Sequence, residues 1–320
     1  MKASLSKRGL NVTPSVTLSI DTKAKQMMSQ GLNVIGFGVG EPDFDTPANI
    51  ADAAIKAIRT GFTRYTAASG TLDLRQAICN KLKADNGLDY TPNQIVVSNG
   101  AKHSLYNVLS ALCDEGDEVI IPVPYWVSYP EMVKMVGAVP VLLETKEEED
   151  FKIRLDDLKR AITPKTKAFM LNSPSNPTGM VYSAQELRAL ADVCVERGIY
   201  IISDEIYEKL VYDNTAHVSI ASFGPTIKDH TIVVNGMSKA YAMTGWRIGY
   251  TASNTEIANA MASLQSHATS NPNSIAQKAS VEALLGPQET ITNMVAEFAR
   301  RRTRMVELIN AIPGLSCREP

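Results

Sequence analysis

The sequence predicts an α/β fold: a mostly parallel sheet with helices on both faces, accompanied by a smaller second domain. Two observations carry this. Short, near-continuous apolar runs alternate with segments of helical period through the middle of the chain. Strands that are apolar on both sides must be covered on both faces, which is how parallel sheets built from βα units are arranged. The length of 320 residues also exceeds what one core usually organises, since a domain takes about 100–200 residues.

The elements follow in order. Ile95-Val96-Val97-Ser98 reads as a buried strand, and the helix after it has apolar positions Leu105, Val108, Leu109 and Leu112 at i, i+3, i+4, i+7 spacing. Glu118-Val119-Ile120-Ile121 is a strand ending at Pro122, and Ala168-Phe169-Met170-Leu171 one ending at the Asn172-Ser173-Pro174 turn. Leu187, Leu190, Ala191 and Cys194 mark a helix, followed by strands at Ile199-Tyr200-Ile201-Ile202 and His230-Thr231-Ile232-Val233-Val234. These patterns place a large domain at residues 49–286. Residues 1–48 form an N-terminal arm and part of a small domain, and residues 287–320 an interdomain helix, Thr290 to Ile309, with the start of the small domain. Binding groups in such sheets collect at the carboxyl ends of the strands.

Bulk properties exclude several classes. Hydrophobic content of 44% with 21% charged residues is ordinary for a globular protein, and a net charge of -2 gives no reason to expect nucleic acid or an anionic membrane as partner. The run Lys146 to Asp150 reads as a solvated loop. No apolar run reaches the ~18 residues of a membrane span, and Met1 to Arg8 lacks an apolar signal core, so a cytoplasmic location is expected. Cys79, Cys113, Cys194 and Cys317 have no Cys-x-x-Cys spacing and read as reduced thiols, and the four scattered histidines give no metal pattern. Gly36-Phe37-Gly38-Val39-Gly40 is not a dinucleotide fingerprint: Glu41 stands where the third glycine belongs, and Pro42 and Pro47 follow instead of a helix.

Lys239 carries the most chemistry. It lies just past the strand ending at Val234, beside Ser238 and eight positions before Arg247. Its amine can form a Schiff base with an aldehyde, while Ser238 and Arg247 can hold a phosphate. A lone lysine on a loop is otherwise a solvated charge, and other motifs decide between the two. Gly40-Glu41-Pro42-Asp43-Phe44, Tyr125-Trp126-Val127-Ser128-Tyr129-Pro130, Asn172-Ser173-Pro174-Ser175-Asn176-Pro177-Thr178-Gly179 and Ser203-Asp204-Glu205-Ile206-Tyr207 occur in one order with it. From about Ser6 to its last residue the chain resembles class I aminotransferases of the pyridoxal-phosphate fold type I group, most closely the bacterial aspartate aminotransferase branch.

The resemblance implies a seven-stranded sheet, pyridoxal 5'-phosphate as cofactor, and a role for each matched residue. Lys239 would hold the cofactor aldehyde and move a proton at the substrate Cα. For that its amine, ordinarily near pKa ~10.4, must be lowered by burial and a nearby cation such as Arg247. Asp204 would keep the ring nitrogen protonated; by type alone it could equally cap a helix. Asn176 and Tyr207 would hold the ring oxygen, though Asn176 before Pro177 is also an ordinary turn residue. Gly100, Ala101 and Lys102, at a helix start after a strand, would cradle the phosphate with Ser238 and Arg247. Trp126 would stack on the ring and Tyr65 would reach the phosphate of a second subunit in a homodimer.

Substrate choice is partly legible by the same resemblance. Lys102, with Ser15 and Thr17, would recognise the distal carboxylate of aspartate or glutamate, and Gly40 would let the α-carboxylate approach the backbone. Substrate contacts would also come from Trp126 and Asn176. The expected reaction is ping-pong transamination between L-aspartate or glutamate and 2-oxoglutarate or oxaloacetate. Thr13 stands where branch members that take prephenate tend to carry a basic residue, which argues against prephenate. An aromatic or broad-specificity aminotransferase and a carbon–sulfur lyase share the cofactor residues; Lys102, Ser15 and Thr17 argue against both. A regulator without turnover would carry a basic DNA-binding segment, and none precedes Thr17. In the family an arginine that clamps the α-carboxylate lies in a small-domain sheet beyond the position of Pro320, so the chain reads as truncated there. The run Arg300-Arg301-Arg302-Thr303-Arg304 is expected on a solvent-facing helix rather than in its place.

Overall fold

The computed structural model describes residues 5–38 and 40–320; Val39 of the glycine-rich run and the first four residues of the N-terminal reading lie outside the described residues. Among the described residues seven strands form one sheet: β1 (Ile95–Ser98), β2 (Glu118–Val123), β3 (Val139–Glu144), β4 (Thr166–Asn172), β5 (Tyr200–Asp204), β6 (Thr231–Gly236) and β7 (Gly249–Ala252), in the order β1-β7-β6-β5-β4-β2-β3. All neighbours are parallel except β7, which runs antiparallel to both β1 and β6. Two reversals leave β1 pointing the same way as β6.

Alternate strand residues feed two cores, which is the two-faced burial the apolar runs predict. Ala168, Met170 and Ile202 pack under helices Ala101–Leu112, Ser128–Met135 and Thr255–Ala268. Phe169, Leu171 and Ile201 pack against helix Ala184–Glu196 and its neighbours on the other face. A third cluster joins β1 and β7 to helices Ala48–Arg59, Leu72–Asn86 and Ser274–Leu285. The predicted helix positions Leu105, Val108, Leu109 and Leu112 are all buried, and so are Leu187, Leu190, Ala191 and Cys194.

Two details differ from expectation. β2 continues through Pro122 to Val123, because its pairing with β4 ends at Ile120 and only β3 lies beside it there; a proline without N–H is tolerated on such an edge. The basic run lies on helix Glu289–Asn310 as expected, but Arg302 is not solvent-facing. Its side chain is 10% exposed, paired with Asp213 and Glu319 and set over the Tyr212 ring. Lys146 to Glu148 are exposed, as a solvated loop should be. All four cysteines are free, three of them buried. Among the described residues no helix is long and apolar enough to cross a membrane.

Candidate active site

The register of the sheet gathers the predicted residues at one edge. Asn172 pairs with Asp204 at the ends of β4 and β5, and Gly249 opens β7 opposite both Gly236 and Ser98. The segments that leave these ends carry Asn99-Gly100, Asn176, Tyr207, Lys239 and Arg247.

Asp204 is buried at the end of β5. Its Oδ2 accepts the Tyr129 hydroxyl at 2.7 Å and its Oδ1 the Ile206 N–H at 3.2 Å. Burial pushes its pKa up to about 6; these two donors oppose the rise, neighbouring Glu205 adds to it, and the charge of Lys239 opposes it. A carboxylate held this way lacks a full cationic partner, and a protonated heterocyclic nitrogen would supply one. Tyr129 was not assigned a role from the sequence. It sits on helix Ser128–Met135, buried, with the Trp126 ring edge-on at 5.3 Å.

Asn172 fixes the turn above Asp204: its amide donates to the Asp204 carbonyl at 2.9 Å and its Oδ1 accepts the Asn176 N–H at 2.7 Å. Asn176 is thereby held beside Tyr207, whose phenol burial pushes up to about 12; the Asp204 charge adds to this and the Asn176 side chain opposes it. Lys239 donates to the Gly40 carbonyl and lies 5.6 Å from the centre of the Tyr207 ring. Burial lowers its pKa; Glu41 opposes this, Arg247 adds to the lowering, and Asp204 opposes it. The amine is thus less basic than a free lysine, and more of it stands unprotonated near neutral pH, ready to accept a proton. Among the described residues, its two chain neighbours apart, no atom lies within 4 Å of where a Cβ on Gly40 would sit, so that side of its backbone is open.

The phosphate turn is built by close packing. Gly100, at φ +86°, caps helix Ala101–Leu112, and no side chain caps that helix start. Among the described residues the Ala101 and Lys102 N–H groups have no protein acceptor. A Cβ at Gly100 would strike the Arg247 guanidinium, and one at Gly249 would strike the Gly100–Ala101 backbone. Arg247 is oriented by its own bonds to the Thr244 carbonyl at 2.8 Å and the Asn99 carbonyl at 3.4 Å. Free amides at a helix start beside a guanidinium make an anion site, and Ser238 lies buried one residue before Lys239. These residues fit pyridoxal 5'-phosphate: an amine for the aldehyde, a carboxylate for the ring nitrogen, and a cradle for the phosphate.

The residues expected to choose the substrate are less fully assembled. Lys102 Nζ lies 4.8 Å from the centre of the Trp126 ring, and burial followed by the nearby Arg247 lowers its pKa. Ser15 Oγ accepts the Leu18 N–H at 3.4 Å and caps helix Val16–Ser29, on which Thr17 lies. Neither hydroxyl bonds to Lys102. The arm is tied near Trp126 by the Thr13 N–H, which donates to Glu131 at 2.8 Å. Tyr65 is 91% exposed. Glu41, unassigned from the sequence, accepts the Thr244 hydroxyl at 2.8 Å and bears on the Lys239 charge.

Behind the site, Glu205, Glu208 and His217 bring ligand atoms within 4.8 Å of one another. Their charges are met by the protein itself: Lys81 bonds Glu208, and His217 lies 3.2 Å from Glu205.

Comparisons with known proteins agree with this geometry. The family description "Aminotransferase class I and II" matches residues 33–320. The aspartate aminotransferase of Geobacillus stearothermophilus is 53% identical over 316 residues, which is 99% of this chain and 80% of the relative. The aspartate/prephenate aminotransferase of Nitrosomonas europaea is 49% identical over 314 residues, 98% of this chain and 79% of the relative. Among solved structures, the aspartate aminotransferase from Rhizobium meliloti is similar with a TM-score of 0.96 at 45% identity, covering 100% of this chain and 80% of that one. The Thermus thermophilus aspartate aminotransferase with maleate has a TM-score of 0.91 at 43% identity, covering 97% and 80%. Fold, strand-end chemistry and sequence point the same way, and the chain belongs to the class I and II aminotransferases.

Proposed function

We propose that this protein transfers the amino group of L-aspartate or glutamate to a 2-oxo acid (2-oxoglutarate or oxaloacetate), using pyridoxal 5'-phosphate in a ping-pong cycle. The observation that carries the reading is the convergence on one sheet edge of Lys239, the buried Asp204 and the open amides beside Arg247. When bound, the cofactor supplies a carbonyl that links to amines and a ring that withdraws electrons from the substrate Cα. The protein does the rest. Asp204, steadied by Tyr129, holds the ring nitrogen's proton; Asn176 and Tyr207 hold the ring oxygen; and Trp126 covers the ring face. Gly100, Ala101, Lys102, Ser238 and Arg247 anchor the phosphate. Lys239, with its amine made less basic by burial, takes the Cα proton and returns it on the other side of the transfer.

An acidic substrate is supported by Lys102 at the mouth of the site and by the relatives' names. The Thermus thermophilus structure also carries maleate, a dicarboxylate. Ser15 and Thr17 are lesser donors in this reading, and Gly40 leaves room for the α-carboxylate. Residues 1–48 serve as the N-terminal arm and part of a small domain, 49–286 as the cofactor domain, and 287–320 as the interdomain helix with the start of the small domain. The enzyme works in the cytoplasm as a homodimer, with Tyr65 of each subunit reaching the partner's phosphate; the exposure of the ring in the single chain supports that reading.

The test is one turnover without a 2-oxo acid, comparing aspartate, alanine and phenylalanine in the wild type and in Lys102→Ala. A distal carboxylate left unpaired costs more than lost apolar contact. Lys102→Ala should weaken transition-state binding of aspartate by ~2–4 kcal/mol and change the neutral substrates little. Equal losses on all three would favour the aromatic or broad-specificity reading and return Lys102 to a structural role at the phosphate turn.

A further inference from the structure

The loop carrying Tyr65 is pinned at several points while the tyrosine itself stays free. Ser274 bonds the Phe62 carbonyl at 3.1 Å, and Gln277 bonds Thr66 Oγ1 at 3.3 Å and the Thr71 N–H at 2.7 Å. The Ser69 carbonyl accepts the Val97 N–H at 3.0 Å. Gly70, at φ +96°, presses so closely on Val97 that a Cβ could not fit. Exposed aromatic rings are usually on tolerant surfaces; this one stands on a loop whose backbone is fixed on both sides.

Gln265 joins that loop to the phosphate turn. Fully buried near the end of helix Thr255–Ala268, it uses all four of its hydrogen-bonding valences. Its Oε1 accepts from the Ser98 hydroxyl at 2.7 Å and the Asn107 amide at 2.9 Å. Its Nε2 donates to the Val97 carbonyl at 2.8 Å and the Ala68 carbonyl at 2.5 Å. Ser98 is the last residue of β1, directly before Asn99-Gly100, and Asn107 is on the helix that the turn opens. Ala68 is three residues from Tyr65. A buried amide satisfied on every side fixes the relative position of what it touches, because no water can replace a lost partner.

We propose that Gln265 is a positioning residue for two cofactor phosphates at once: its own subunit's, through Ser98, and the partner subunit's, through Ala68 and the Tyr65 loop. The proposal rests on the reading in which Tyr65 crosses the dimer. It makes each subunit's grip on its cofactor depend on a side chain of the other that lies within neither site.

Hybrid dimers test this with cofactor release rather than turnover. One subunit is wild type. Its companion carries Lys239→Ala, so that the absorbance of lysine-linked cofactor reports the wild-type subunit's site alone. Adding Gln265→Met to the companion should speed cofactor release from that intact site about fivefold. Adding Tyr65→Phe to the companion should also speed it, and Gln265→Met on top of Tyr65→Phe should add nothing further. A general loss of stability in the companion would not vanish in that way. Gln265→Asn, which keeps the amide but shortens its reach, should act in the same direction and serves if Gln265→Met does not fold. If Tyr65→Phe speeds release and neither Gln265 variant does, the proposal is overturned while the crossing of Tyr65 stands. If Tyr65→Phe in the companion has no effect, the crossing itself is wrong and the proposal falls with it.

Discussion

The Tyr129 hydroxyl donates to Asp204 Oδ2 at 2.7 Å, with both side chains buried. The bond matters because Asp204 has few ways of remaining charged. Burial alone favours its neutral form, and Tyr129 and the Ile206 N–H are the donors that resist this. A hydrogen bond to a charged group contributes about 1.5–3 kcal/mol. Tyr129→Phe should therefore raise the Asp204 pKa further. The cofactor-free variant should lose more stability, relative to wild type, at pH 8 than at pH 5, read from urea midpoints. Equal losses at the two pH values would mean that Tyr129 serves packing only.

Asp204 itself should leave a pH signature on folding. Its folded pKa, about 6, lies above the ~3.9 of an unfolded aspartate. The folded state therefore holds the proton more tightly, and the contribution to stability is complete below pH ~4 and declines as pH rises through about 6. Asp204→Asn removes that titration. The stability of wild type minus variant, measured without cofactor, should fall between pH ~4 and ~6 and stay level above. A difference that is flat across this range would contradict burial as the dominant influence. With cofactor present, the same substitution should slow Cα–H cleavage in a single turnover by at least about 10²–10³-fold, because the preorganised charge is gone.

Gly249 should be needed for the phosphate turn rather than for its own strand. A methyl group there meets the Gly100–Ala101 backbone, which cannot yield without moving the amides that face the anion. Gly249→Ala should cost about 1–3 kcal/mol of stability through overpacking. Affinity for pyridoxal 5'-phosphate should fall more than affinity for unphosphorylated pyridoxal. Parallel losses for the two ligands would place the damage elsewhere than the cradle.

What could be read from sequence, and what could not, follows from local chemistry. β1, β4, β5 and β6 announce themselves as apolar runs because both faces of each are covered. β3 does not: it is an edge strand with Val139 and Leu142 exposed and a proline at its second position. β7 is only four residues long, with glycine at its start, and one of its two partners, β1, lies far back in the chain. Asp204, Asn176, Lys239 and the Gly100 turn were legible because each follows a strand end within a recognisable motif. Tyr129 stood inside one of those motifs, but its partner is 75 positions away and only folding brings them together. Gln265 gave no signal at all, since a glutamine near a helix end normally faces water.

In the proposed reaction Lys239 is the amine that takes the cofactor, and chemical trapping tests that assignment. The purified protein is loaded with pyridoxal 5'-phosphate, reduced with borohydride and mapped by peptide mass. One label per chain is expected, on Lys239, and none in Lys239→Ala, which should still bind the cofactor reversibly through the Gly100 turn and Arg247. A label on Lys102 or any other lysine of the wild-type protein, with Lys239 unmodified, would contradict it.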